Sequence, residues 1–236
     1  MKNLSIKIGG LLLFFVPLIL VFEGCEKIED DGDGTIILVV NGNGHSKMNN
    51  EGLKEILDEF PIEDLSAEEE ASLLYLREEE KMARDVYLKL YDAWDMHPFE
   101  HISESEDTHM EAVLLLIERY DLVDPVGDND FGIFTNQEIQ ALYQELVGKG
   151  LEQRSEALKI GALIEEIDIL DLINDLDEVV DNQDIAYVYG KLLAGSKNHL
   201  RAFVKNLKSD GVTYEPVHLS QELFDEIISA PHGHGG

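Results

Sequence analysis

Two residue pairs in the chain have Glu-x-x-His spacing, Glu106 with His109 and Glu215 with His218. On a helix, positions i and i+3 lie side by side on one face, so such a pair can reach a single cation together. The second pair encloses Pro216 and sits in loop-like sequence, so the first is the helical one. Glu106 and His109 also fall on an apolar stripe, Ile102, Glu106, His109, Val113, Leu116 and Tyr120, at alternating four- and three-residue steps. Three other segments repeat the pattern. Ile185, Tyr189, Leu192, Ser196, His199 and Phe203 form a stripe that carries His199. Leu158, Ala162, Glu165, Ile169, Leu172 and Leu176 carry Glu165, with Asp168 beside it. Leu76 and Ala83 bracket Glu79 and Glu80, one of which must face inward.

A buried carboxylate is costly unless it is paired, protonated or bound to a metal, and several converging carboxylates repel one another. Divalent cations resolve both problems. Mixed carboxylate and imidazole donors suit iron, manganese or zinc. A metal-free core is the competing explanation: Glu79 can pair with Arg77 or Arg84, and His109 and His199 can be ordinary buried histidines. Four stripes with a polar residue at mid-length favour the metal. Tyr75, Tyr87 and Tyr189 are near enough in sequence to be hydrogen-bonding partners, although tyrosine at helical spacing is normally core.

Helical elements must position these residues. Ser66-Ala-Glu-Glu69 is a capping box, and helical periodicity follows over about 67–94. Pro98 suits the first turn of a second helix to about Tyr120. A long connection comes next, with a short helix from the Thr135–Glu138 cap to about Val147. A third long helix spans about 155–179, and a fourth about 183–209, ended by Asp210-Gly211. A last short helix is expected at 220–229. This predicts an all-α fold: two helix hairpins joined by a long crossover that contains a short helix, the connectivity of ferritin-like four-helix bundles. Glu78 and one of Glu79 and Glu80 are expected to face solvent, as is the acidic run Glu68–Glu70.

The N-terminus reads as an address. Lys2 and Lys7 precede an apolar run from Ile8 to Phe22, shorter than the roughly 20 residues of a membrane-spanning helix. The run suits a secretory signal and ends at Gly24-Cys25, a lipoprotein-type cleavage site that makes Cys25 the lipidation residue. The expected organisation is a signal peptide over 1–24, an acidic Gly-rich tether over 25–65, the bundle over 66–229 and a disordered tail over 230–236. Within the tether, Thr35–Val40 has strand composition but no evident partner, and Glu51–Glu59 suits a short helix. The implied location is the cell envelope, periplasmic or outer-membrane surface. The formal net charge of −31 opposes nucleic-acid binding. A single cysteine excludes a disulfide framework, a thiolate zinc site and an iron–sulfur cluster. Expected partners are metal ions and, through the anchor, a membrane; a homodimer is the candidate assembly. No nucleotide loop, nucleophile motif or flavin fingerprint is present.

The blocks LLYLREEEKMARDVYLKLY, ISESEDTHMEAV, ALKIGALIEEIDILDL and VYGKLLAGSKNHLRAF, within about 66–228, resemble a prokaryotic ferritin-like family, domain of unknown function 2202 (DUF2202). The wider superfamily includes ferroxidases, peroxidases, oxygenases and manganese catalases. The resemblance implies a di-iron or di-manganese centre and redox chemistry with oxygen or peroxide, a metal-dependent oxidoreductase. Carried over by position, Glu79 (or Glu80) is the first helix's ligand, Glu106 a bridging carboxylate and His109 a terminal ligand. Glu165 (or Glu166) and His199 come from the third and fourth helices. Ser196 stands where the superfamily has a second bridging Glu, and Asp168 is the candidate replacement. If Asp168 does not replace it, the second metal position is weak. The alternative function is a non-catalytic metal-binding or structural surface lipoprotein.

Overall fold

The computed structural model describes residues 27–30 and 36–230. The expected signal peptide, Cys25 and the histidines of the C-terminal tail lie outside the described residues. Seven helices account for most of the described chain: α1 (Asn50–Leu57), α2 (Ala67–Trp94), α3 (His97–Arg119), α4 (Gln137–Gly150), α5 (Arg154–Glu178), α6 (Gln183–Ser209) and α7 (Gln221–Ser229). The four long ones pair closely as α2 with α3 and α5 with α6. The connection between the pairs carries α4, which packs on both α2 and α5. Among the described residues no helix is long and apolar enough to cross a membrane.

Local chemistry explains where the helices begin. The Ser66 hydroxyl accepts the Glu69 N–H at 3.1 Å, and the Glu69 carboxylate accepts the Ser66 N–H at 3.0 Å, which closes the capping box and satisfies two otherwise orphaned donors. Asn136 and Ser220 cap α4 and α7 through their side chains. Glu69 is not solvated as expected. Its second carboxylate oxygen accepts the Asp181 and Asn182 N–H groups, both at 3.1 Å, and so ties the α5–α6 connection to the start of α2. Glu78 is likewise buried, because the crossover folds over α2 and offers it the backbone N–H groups of Thr135 and Asn136.

Two apolar clusters fill the interior. One gathers Met82, Val86, Phe99, Ile102, Leu200 and Phe203 with their neighbours. The other gathers Leu73, Leu76, Val113, Leu116, Val188 and Leu192 with theirs. Along α2, α3 and α6 the chain passes from one cluster to the other through a polar layer at mid-helix: Glu79 and Glu80, Glu106 and His109, Ser196 and His199.

The larger departure from expectation is at the N-terminal side. Strands β1 (Lys27–Asp30), β2 (Ile36–Val40) and β3 (Ser46–Met48) form an antiparallel sheet in that order. Leu38 pairs with Met48 and Val40 with Ser46. The run expected to be an unpartnered strand thus finds a partner across the Asn41–His45 turn. There Asn41 Oδ1 accepts the Asn43 and His45 N–H groups at 3.0 and 3.3 Å, and Gly44 takes a left-handed φ of 90°. Residues 36–57, expected within a tether, instead bury Ile37, Leu38, Met48, Leu53 and Leu57 in the second apolar cluster. Five buried apolar side chains gain more by docking than a free linker would.

Candidate metal centre

Glu106 is the hub of the polar layer. It is on the third turn of α3, 2 % exposed. One oxygen, Oε2, lies 2.9 Å from His109 Nδ1 one turn along the same helix, and the other, Oε1, lies 2.9 Å from His199 Nδ1 on α6. Each imidazole has a second carboxylate of its own. Glu80 Oε2 from α2 lies 3.5 Å from His109 Nδ1, and Glu165 Oε2 from α5 lies 3.3 Å from His199 Nδ1. The two rings stack, with centroids 5.3 Å apart and planes inclined by 21°. The result is two carboxylate–carboxylate–imidazole sets, Glu80/Glu106/His109 and Glu106/Glu165/His199, which share Glu106. Within each set the donor atoms lie within 4.8 Å of one another.

The far side of the rings is held by a residue the sequence did not single out. The Ser46 hydroxyl on β3 lies 3.2 Å from His109 Nε2 and 2.7 Å from His199 Nε2. A hydroxyl oxygen has two acceptor lone pairs, one for each Nε2–H. That arrangement leaves both Nδ1 atoms facing Glu106. Ser46 is itself fixed, since its N–H donates to the Ser105 hydroxyl at 2.9 Å. Gly195 on α6 makes the approach possible: a Cβ there would lie 2.7 Å from the His109 ring and 3.1 Å from Ser46 Oγ. No local signal marks Ser46, because it reaches the rings only through the hairpin.

Tyr87 also belongs to the layer. Its hydroxyl donates to Glu165 Oε1 at 2.5 Å and leaves Oε2 for the His199 side. Tyr189 instead shares a hydrogen bond with Ser72. Of the alternatives open in the sequence, Glu80 rather than Glu79 joins a donor set, and Glu165 rather than Glu166. Glu166 accepts the backbone N–H groups of Val217, His218 and Leu219 at 2.7–2.9 Å, so it anchors the loop before α7. Glu79 is buried beside Glu80 but turned toward α5, and Asp168 stands outside both sets with Ser196 donating to its Oδ2. Asp168, the candidate replacement for a second bridging carboxylate, borders the same small cavity as Glu80, Glu106 and Glu165. A further His97/Glu100/His101 group lies in the more exposed first turns of α3.

The electrostatics couple the carboxylates to the imidazoles. Burial lowers the affinity of both imidazoles for a proton, but Glu106 and the outer carboxylates outweigh it: His199 is raised to about 9 and His109 is raised well above its usual range. Burial pushes the Glu106 carboxyl up, yet His199 and His109 together hold it below the usual carboxylate range. Burial raises Glu80 to about 7, with His109 opposing, and burial also raises Glu165. The 2.9 Å contacts of Glu106 with the two Nδ1 atoms are close ion-pair approaches without aligned hydrogen bonds, and Glu80 Oε1 is buried with no hydrogen-bond partner. A small cavity of about 10 Å³ borders Glu79, Glu80, Glu106, Glu165 and Asp168, on the Nδ1 side. It has room for about one water-sized species. Buried carboxylate and imidazole atoms that converge on such a space could hold a metal ion.

A family model described as an uncharacterized protein domain, DUF2202, matches residues 69–231. The uncharacterized protein MJ0754 of Methanocaldococcus jannaschii is 46 % identical over 176 residues, 75 % of this chain and 95 % of that protein. The crystal structure of hypothetical protein MJ0754 from Methanococcus jannaschii superimposes with a TM-score of 0.71 at 46 % identity, over 73 % of this chain and 98 % of that one. Ser46 lies outside the segment the family model matches.

Proposed function

The chain belongs to the DUF2202 family, and for it we propose a ferritin-like four-helix bundle that carries a dinuclear metal centre, with iron or manganese as the resident ions. One observation carries the proposal. Glu106 offers one oxygen to the His109 side and the other to the His199 side, each at 2.9 Å from an imidazole Nδ1, and each side adds its own carboxylate. These atoms would be the ligands of two cations, with one Glu106 oxygen available to each side.

Glu80 and His109 would hold one ion, Glu165 and His199 the other, with Glu106 between them. Such ions supply one-electron redox steps with oxygen or peroxide as the oxidant. The protein's part is positional. Ser46 accepts both Nε2–H groups and keeps the Nδ1 lone pairs inward. Tyr87 orients Glu165. The apolar clusters on either side exclude bulk water and strengthen the electrostatic contacts inside. Ser196, 1 % exposed, offers a hydroxyl where the superfamily has a second carboxylate.

The N-terminal sequence supports export as a lipoprotein, with cleavage before Cys25, lipidation at that residue and residence in the cell envelope. The acidic surface would concentrate cations near the site. A non-catalytic metal-binding role differs from the redox reading in one measurable respect: ferrous iron oxidised or hydrogen peroxide consumed by the loaded protein. Turnover supports the oxidoreductase. Tight metal binding without turnover supports the storage or scavenging role.

A further inference from the structure

Glu79, Asp168, Asp171 and Asp175 are left over by the centre, and they form a file. Asp168, Asp171 and Asp175 continue from Glu165 at three- and four-residue steps along one stripe of α5, rising about 15 Å from Glu165 to Asp175. Burial decreases along the stripe. Asp168 is buried, while Asp171 and Asp175 are half-buried. Glu79 faces the stripe from α2, within electrostatic reach of Asp168 and Asp171. It is 2 % exposed, and its carboxyl meets that of Asp171, a contact that needs a proton or a cation between the two. Asp168 Oδ1 is buried with no hydrogen-bond partner. Glu79 and Asp168 also line the small cavity on the Nδ1 side of the centre.

Two carboxyl groups in contact inside a core are costly unless a proton or a cation lies between them. An apolar residue at position 79 would extend the Leu76–Ala83 packing of α2 without that cost. The far side of the rings offers no rival opening, since Ser46 closes it at hydrogen-bond distance. We propose that Glu79, Asp168, Asp171 and Asp175 line the route by which divalent cations pass between α2 and α5 to the centre, with Glu79 and Asp168 as the last oxygen donors before Glu80 and Glu165. This rests on the dinuclear reading above. Carboxylates replace the water shell of a hard or borderline divalent ion step by step. Because Glu79 and Asp168 stand outside both donor sets, the ion moves on to the imidazole-bearing sites, where binding is stronger.

The test is the rate of Co²⁺ uptake by the metal-free full chain, followed in stopped flow by the visible absorption of the bound ion, with the endpoint measured as ions per chain. Glu79→Gln and Asp171→Asn are made separately. Asp177→Asn, at an exposed position of the same helix, removes the same charge away from the file. The route predicts uptake slowed tenfold or more in Glu79→Gln and Asp171→Asn, wild-type rate in Asp177→Asn, and an unchanged endpoint in all three. Wild-type rates in both file variants would overturn the route while leaving the centre intact. A lower endpoint in either variant would overturn it as well, by making that residue a ligand. If the wild-type chain takes up no Co²⁺, the dinuclear reading itself fails and the route goes with it.

Discussion

Ser46 Oγ lies 2.7 Å from His199 Nε2, and the same oxygen lies 3.2 Å from Nε2 of His109. One hydroxyl from the N-terminal hairpin therefore fixes two imidazoles that come from different helices. Removing it frees both rings to flip or change tautomer. Ser46→Ala is expected to weaken metal binding by about 10- to 100-fold and to cost the metal-free protein about 1–3 kcal/mol, the range for leaving a buried polar group unpartnered. Competitive metal titration and denaturant melts check the two effects separately.

Glu106 is shared by both halves of the centre, so its loss cannot be confined to one. Glu106→Ala is expected to abolish binding of both ions. It should also destabilise the metal-free protein by about 3–5 kcal/mol near neutral pH, because two buried imidazolium partners lose their shared counter-charge. Retention of one tightly bound ion in this variant would contradict the bridging role.

Glu79 and Glu80 are adjacent in sequence and equally buried, yet only Glu80 reaches a histidine. Glu80→Gln is expected to lower the metal content from about two ions to about one per chain. Glu79→Gln is expected to keep both at equilibrium. Mass-spectrometric metal analysis of the two variants side by side distinguishes them.

The direction of the proton affinities sets the pH dependence. His199 is raised to about 9 and Glu80 to about 7, both above their unfolded values, so the folded metal-free state binds more protons than the unfolded one across this window. Stability must then fall as pH rises. For His199 it is fully present below about 6.5 and lost through about 9. For Glu80 it is lost between about 4.5 and about 7. Metal competes with these protons, so metal affinity should rise over the same range. Melting temperatures of the metal-free and metal-loaded protein between pH 5 and 9 should diverge with increasing pH. Parallel curves would contradict the account.

Helices α2 and α3 were legible because each combines a start signal, Ser66 for one and Pro98 for the other, with sustained periodicity. Glu106 and His109 were legible because a polar pair interrupts an apolar stripe at helical spacing. Other parts were hidden for physical reasons. Glu78, Glu79 and Glu80 are three consecutive helical residues and sweep about 200° of the helix surface. Periodicity says that one of them points inward, but not which. All three are buried, since the crossover covers Glu78 and α5 covers Glu79. Glu165 and Glu166 posed the same ambiguity, resolved by the loop before α7 that claims Glu166. Ser46 meets its partners across 63 and 153 residues, a separation at which no sequence spacing carries information. The hairpin that delivers it looked like a linker because its strands are short and its turn is rich in Gly and Asn.

The most direct test is the metal content of the full chain, purified without a histidine tag after growth with iron, manganese and zinc, beside a Glu106→Ala/His109→Ala variant. The account predicts about two ions per chain in the wild type and none tightly held in the variant. A wild-type protein that is folded and helical but empty, or a variant that keeps both ions, would contradict it.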